Sequence, residues 1–327
     1  MPERASITQA VQVGVEAVPG TNVAANKLLN SMSLGPAVAV DMQRFRPQGQ
    51  KFASIITPGK EWVTADVSGV GSYSEVIYAL ACLLKYQAPV QQAATTAYKW
   101  TVDPAARSED TIKTLTVEQG GAVRAQKFNY GLFNEFGMDF TRDGVSISGA
   151  MFGQRLQDGI VLTAAPAAVE EKPILPNEID IFLDTTGAGL GTTKLTRVLE
   201  AGFSVGSRFN PLWTLNSVNS SFAAHVEAEP SAQFRIKMEA DAEGMAQLTT
   251  MRQGATRFMQ IRCTSPDLAG AAIPYSLTIN LAGKVSGVGN FEDADGVYAI
   301  EWTFDVVYDA TWAHALLIDV INKQTAL

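Results

Sequence analysis

The feature that most limits what this chain can fold into is that it reads twice. Arg44-Phe45-Arg46-Pro47 returns as Arg208-Phe209-Asn210-Pro211, and Phe52-Ala53, followed by Pro58, returns as Phe222-Ala223, followed by Pro230. Leu115-Thr116-Val117 returns as Leu277-Thr278-Ile279, and Asp143-Gly144-Val145 with Phe152 returns as Asp295-Gly296-Val297 with Phe304. The matches keep their order while the offset between halves goes from 164–172 in the first ones down to 152 in the last. Ordered self-similarity of this kind is the mark of one module used twice. A chain of 327 residues has the length for two domains of ~150 residues.

A proline- and alanine-rich run, Ala164–Pro176, separates the copies and is a poor helix and a poor strand. It divides the chain into an N-terminal module, 1–165, with an N-terminal arm, a linker, 166–176, and a C-terminal module, 177–327. Modest lengthening of the run is expected to be tolerated by folding. Charge divides at the same place: residues 1–170 hold 14 Lys+Arg and 15 Asp+Glu, residues 171–327 hold 11 and 18.

Each half carries the same coarse pattern. Ser72-Tyr73-Ser74-Glu75 reads as a capping box before an apolar face of Val76, Ile77, Leu80, Leu83 and Leu84. In the second half Asp241 caps a run with Met245, Leu248 and Met251 on one face. A strand-like segment precedes each helix, Trp62–Val67 and Gln233–Met238. Phe133–Phe140 and Val145–Phe152 flank an Arg142-Asp143-Gly144 turn and predict a hairpin. Tyr298–Tyr308 reads as a long strand, Ile279–Leu281 and Lys284–Val285 as short ones. The expected fold is mostly β with flanking helices: two tandem β-sandwich or open-barrel modules with one helix packed on each. Modules of this kind have strand edges, and open edges invite pairing with neighbours.

Composition narrows the function. Net charge −8 and pI ≈ 4.9 argue against a protein that grips nucleic acid through basic patches. Only 18% of residues are charged, which suggests surface covered by partners. No run of 18 apolar residues predicts a membrane helix, and no apolar segment of secretory type follows Met1–Ser6. Cys82 and Cys263 stand far apart and read as buried thiols. His225 and His314 have no ligating neighbours at metal spacing. Gly187-Ala188-Gly189-Leu190-Gly191-Thr192-Thr193-Lys194 lacks both the Gly-Lys-Ser/Thr ending of a phosphate loop and the glycine spacing of a dinucleotide loop. Glu292-Asp293-Ala294-Asp295 lacks the downstream acid of a calcium loop and reads as a solvated turn. No catalytic, cofactor or metal residue emerges, and an enzyme is disfavoured.

Gly14-Val15-Glu16-Ala17-Val18-Pro19-Gly20-Thr21 resembles the opening of tail tube proteins of long-tailed bacteriophages. Pro58–Trp62, Thr116–Gly120, Glu135–Asp143, Phe222–Pro230 and Asp295–Phe304 are similar to the same family. The resemblance spans nearly the whole chain and implies a structural virion protein that self-assembles into stacked rings. Strands of neighbouring modules would join around a lumen through which DNA passes, without specific binding, into the host. Six modules per ring, two to a chain, would make the ring a trimer with pseudo-sixfold symmetry. Tape-measure and tail-terminator proteins would be partners. The site would be the virion tail, the protein being made in the host cytoplasm, with no membrane segment.

Two stretches read as long loops, Gly35–Gln50 and Val205–Ser221, and both hold the repeated motif. Arg44, Phe45 and Pro47, with Arg208, Phe209 and Pro211, are therefore the expected ring-to-ring contacts, and the arm Met1–Asn26 is another. The rival readings are another ring-forming tail or secretion-tube subunit, such as a terminator that stops at single rings, and a soluble carbohydrate-binding β-sandwich. The scattered placement of Trp62, Trp100, Trp213, Trp302 and Trp312 disfavours the last.

Overall fold

Alternating apolar and polar residues become strands over most of the chain, and the computed structural model describes residues 8–215, 219–294 and 296–327. The first half runs β1 (Ala10–Val15), β2 (Lys27–Leu29), β3 (Met32–Phe45), β4 (Ile55–Val70), α1 (Val76–Leu83), β5 (Val90–Gln91), β6 (Tyr98–Val102), β7 (Leu115–Gly120), β8 (Ala125–Phe140), β9 (Val145–Gly153) and β10 (Gln157–Ile160). After β11 (Ala167–Ala168) the second half runs β12 (Ile179–Asp184), β13 (Val198–Gly206), β14 (Phe209–Leu212), β15 (Ala224–Glu227), β16 (Ser231–Glu239), α2 (Ala242–Gln253), β17 (Arg257–Gly270), β18 (Ile273–Val288), β19 (Glu292–Ala294), β20 (Val297–Val306) and β21 (Leu316–Asn322). The protein is mostly β, with two α-helices among the described residues.

Strand pairing follows one plan in both halves. In the first, β3 pairs with β4, β4 with β9, β9 with β8, β8 with β7, β7 with β1, and β8 also with β10. In the second, β13 pairs with β16, β16 with β20, β20 with β18, β18 with β17, β17 with β12, and β18 also with β21. All these pairs are antiparallel, and each helix follows the second strand of its set. β8 and β18 are both 16 residues long, and each serves two sheets, its first part facing the outer strands and its last part the inner ones.

The inner strands of the halves join edge to edge. β8 pairs with β13, Phe136 opposite Val205 through Phe140 opposite Ala201. One sheet of eight strands therefore runs β3-β4-β9-β8-β13-β16-β20-β18. Its inward face holds Val63, Val67, Phe136, Phe203, Ile236 and Trp302, all at most 3% exposed, against the helices and outer strands.

Several expectations need correction. Gly35–Gln50 is not a loop: through Phe45 it is β3, paired with β4 as far as Ile55. The two short strands expected at Ile279–Leu281 and Lys284–Val285 are parts of the single β18. The capping box does not form. Glu75 turns away from the helix and accepts hydrogen bonds from Asn30 N (2.6 Å) and Ser31 N (3.0 Å), fixing the β2–β3 turn. All eight residues of α1 are buried, so it has no wet face. Asp241 does cap α2, accepting from Gly244 N at 2.9 Å, and Gly254 closes that helix at φ 60°.

The matched segments also part company in space. Leu115–Val117 lies on β7, whose counterpart by pairing is β17, whereas Leu277–Ile279 lies on β18. Phe304 points inward and pairs with inward Phe234, the place taken in the first half by Met151 opposite Ala65. Phe152 is the next residue, on the other face. Asp295 of that match lies outside the described residues.

The run 166–176 is held by the first half. Val169 N donates to Leu28 O, Tyr73 N to Lys172 O and Ile174 N to Gly71 O, and Val169 and Ile174 are buried. The halves also interlock: β6, from the first, pairs with β21 of the second, and Trp100 Nε1 donates to Asn322 Oδ1 at 3.1 Å.

Candidate assembly edges and the wet face of the sheet

The eight-strand sheet ends in two edges that pair with nothing among the described residues. One is the outer side of β3. The other is the last part of β18 with β19, both paired only with β20. These edges are the counterparts of β13 and of the end of β8, the two strands that meet at the internal joint.

The β3 edge is legible atom by atom. Ser31 O accepts from Val70 N, which sets the alternation of the ladder, so the peptide groups of Leu34, Pro36 and Val38 face outward. Proline has no N–H to give, and an outward position is where its lack costs the ladder nothing. Gln119 Nε2 donates to Leu34 O at 2.5 Å, a side chain standing where a neighbouring strand would donate. Val38 on this edge, and Val288, Phe291 and Tyr298 by the opposite one, are exposed.

The internal joint shows what such an edge looks like when filled. Gly202 on β13 lies beneath an ion pair between Asp139 of β8 and Arg235 of β16, 2.8 Å apart, and a Cβ there would stand 2.9 Å from Asp139 Oδ1. Its counterpart on β3 is Gly35, where a Cβ would meet only Asp66 O at 3.9 Å.

Apart from a covered corner at Trp62, Leu132 and Phe152, the sheet face opposite the core is wet. Across it run Thr64, Asp66 and Ser68; Ser146 and Ser148; Glu135 and Asp139; Glu200 and Ser204; Arg235, Lys237 and Glu239; Glu301 and Asp305; and Lys284 with Ser286. Acids outnumber bases, and small residues fill the places between. One open hollow of about 300 Å³ lies on this face, lined by Asp139, Glu200, Arg235, Lys237 and Glu301.

The expected contact residues fare differently in the two halves. Beyond Val40 the β3–β4 hairpin pairs only with itself and forms a free ribbon. Arg44 and Phe45 stand on it exposed, Phe45 by 59%, and Phe52 at its tip is 82% exposed. From Met42 to Lys60 the ribbon carries Arg44, Arg46, Lys51 and Lys60 and no acid, in a chain of net charge −8. In the second motif Arg208 and Phe209 are buried, while Asn210 is exposed and Pro211, like Pro47 on the ribbon, is half-buried. Phe209 is 1% and Phe222 0% exposed, and Arg208 donates to Asp110 Oδ2 and Glu227 Oε1, each at 2.8 Å. Residues 1–7 of the arm and 216–218 of the second stretch lie outside the described residues. Sequence reasoning missed the joint and the wet face, because both depend on strand neighbours.

The other motifs are occupied locally. Asp184 accepts from Gly191 N, Thr193 N and Thr192 Oγ1 at 2.8–3.0 Å, which consumes the amide groups a phosphate would need. Burial alone would raise its pKa, but the donors at Thr193 and Thr192 outweigh it and hold the carboxyl below the usual range. Burial pushes the thiols of Cys82 and Cys263 up. His314 Nδ1 meets Asp103 at 2.9 Å, and His225 Nδ1 lies 3.1 Å from Tyr130 Oη. Glu292 pairs with Lys237 at 2.8 Å, while Asp295 of the acidic turn is outside the described residues. No helix among the described residues is long and apolar enough to cross a membrane. No family model matches the chain, and no curated protein matches it.

Proposed function

We propose that this protein is a structural subunit that closes head to tail into rings and stacks them into a hollow tube, the role its resemblance to tail tube proteins implies. The observation that carries the reading is the pair of open edges. Each is the counterpart of a strand already joined inside the chain, so a second copy can repeat the internal joint with β3 against the β18–β19 edge. Contacts of this head-to-tail kind give a closed ring when the rotation per copy closes and a filament when it does not. Closure would also satisfy the outward peptide groups of β3.

Three copies, each adding eight strands, would make a barrel of about 24 strands and about 50 Å across the backbone at ordinary spacing and tilt. That is wider than a DNA duplex. The wet face would line it, and small residues with an excess of acid suit a polymer of phosphates that must slide rather than bind. The ribbon would reach the next ring: a two-stranded hairpin alone is marginal in water, and this one exposes apolar groups beside Arg44, Arg46 and Lys51, while Lys60 at its base stands over the Trp213 ring. Its partner would be the acidic body of another copy. A tail origin, with delivery of viral DNA, belongs to the same proposal.

Electron microscopy of the purified protein tests it. Tubes, or stacked rings with about sixfold projection symmetry, are the expected result. Single rings that never stack would favour a terminator. Monomers at high concentration under every salt condition would overturn the proposal.

A further inference from the structure

The two connections that occupy the same place in the pairing plan do opposite things. In the first half the connection is the free β3–β4 ribbon. In the second it is the connection between β13 and β16, whose described parts, Ser207–Leu215 and Asn219–Pro230, fold back across the internal joint onto the first half. There Phe209 and Phe222 pack with Tyr130, Leu132 and Phe152, and Phe222 meets Tyr130 edge to face at 5.0 Å. Trp213 meets Trp62 at 5.5 Å.

Polar anchors fix the same segment to the first half at several points. Asn134 Oδ1 accepts from Phe209 N (2.9 Å), Gln154 Nε2 donates to Phe222 O (2.8 Å) and Glu61 N donates to Ser220 O (3.0 Å). Arg208 bridges Asp110, from the loop before β7, and Glu227 of β15. The side chain of Asp110 is fully buried, and Lys85 stands 3.6 Å from it.

Among the described residues a clamp of this kind is built at the internal joint and not at the β18–β19 edge. The inward-facing register places Ser231, Lys284 and Asp305 where Trp62, Leu132 and Phe152 stand in the first half. The second half therefore offers a neighbouring copy a polar surface, and the ribbon would find no aromatic platform there. Joints within a chain would be clamped, and joints between chains would not.

We propose that Ser207–Leu215 and Asn219–Pro230 form a clamp that fixes the angle between the two halves and thereby sets how many copies close a ring. The inference rests on the assembly reading above. A ring closes only at one rotation per joint, and a stiff joint inside each copy leaves only the joints between copies to adjust. Arg208 and Phe222 are positioning residues in this scheme, with no part in the edge-to-edge contacts themselves.

The test uses the full-length protein with cysteines for spin labels at Val123 and Leu268, both exposed, the native thiols being buried. The parent should give one narrow distance distribution between halves and rings of a single mass. Phe222→Ala should broaden the distances at least twofold and yield rings of mixed copy number or open filaments, with an unchanged circular dichroism spectrum. If Phe222→Ala does not fold, Trp213→Ser, at a half-buried ring, should give a smaller broadening of the same kind. Narrow distances in the folded variant, or broad distances with rings of one unchanged mass, would overturn the clamp as the setting of ring size. A parent that forms no rings would overturn the assembly reading and, with it, the closure role, while the distances would still judge the clamp.

Discussion

The β3–β4 ribbon and the β13–β16 connection carry the same motif and occupy the same place in the pairing plan, yet one projects its arginine and phenylalanine into solvent and the other buries them. Arg44 and Phe45 meet water where Arg208 and Phe209 meet Asp110, Glu227 and Tyr130. The difference lies in what the next module offers. Trp62, Leu132 and Phe152 make an apolar shelf beside the internal joint, whereas Ser231, Lys284 and Asp305 make a polar one. A duplicated module can thus keep its ladder while each copy's connection takes a separate task.

The largest contrast is expected at the paired arginines and phenylalanines. Arg208→Ala leaves the buried carboxylate of Asp110 with only Lys85 as a cation, at 3.6 Å, and should cost about 3 kcal/mol in urea unfolding, and Phe222→Ala about 3–5 kcal/mol. Arg44→Ala and Phe52→Ala should stay within about 0.5 kcal/mol. Equal losses in both connections would break the comparison. Next comes the β3 edge. Val38→Pro removes an outward N–H without touching the ladder to β4, so thermal unfolding should be little changed while sedimentation shows loss of rings.

A smaller effect separates the counterpart glycines. Gly202→Ala must displace the Asp139–Arg235 pair and should cost about 1 kcal/mol, whereas Gly35→Ala should leave the monomer's melting temperature unchanged. The smallest is at His225, whose pKa burial pushes below the usual value of 6.5 against the opposing pull of Glu227 and Glu109. The unfolded chain takes up that proton first, so stability is full above that value and declines as pH falls through it. His225→Gln should flatten the melting temperature between pH 7 and 5, and an unaltered slope would remove His225 from the clamp's response to acid.

The sequence states some of this outright. α2 is legible because Asp241 caps it through Oδ1, a role that Arg197, 3.6 Å from the other oxygen, leaves intact, and Gly254 supplies the left-handed stop. Glu75 misleads because its carboxylate is committed to Asn30 and Ser31, 44–45 residues away in sequence. β3 is hidden by Gly35, Pro36 and two alanines, poor strand formers that an edge tolerates. The repeat is visible but its registers slip. Pairing preserves which face a residue occupies and not its identity, so Met151 stands where Phe304 stands and Phe152 does not. The joint, the wet face and the clamp all need neighbours distant in sequence, and no local pattern carries them.

The lending of β6 to the far half has a consequence for the backbone between them. A protease nick within 166–176 would sever the covalent link without releasing either fragment, because Tyr98–Val102 stays threaded beside Leu316–Asn322 and β8 stays hydrogen-bonded to β13. The severed pieces should travel together through gel filtration and separate only in denaturant.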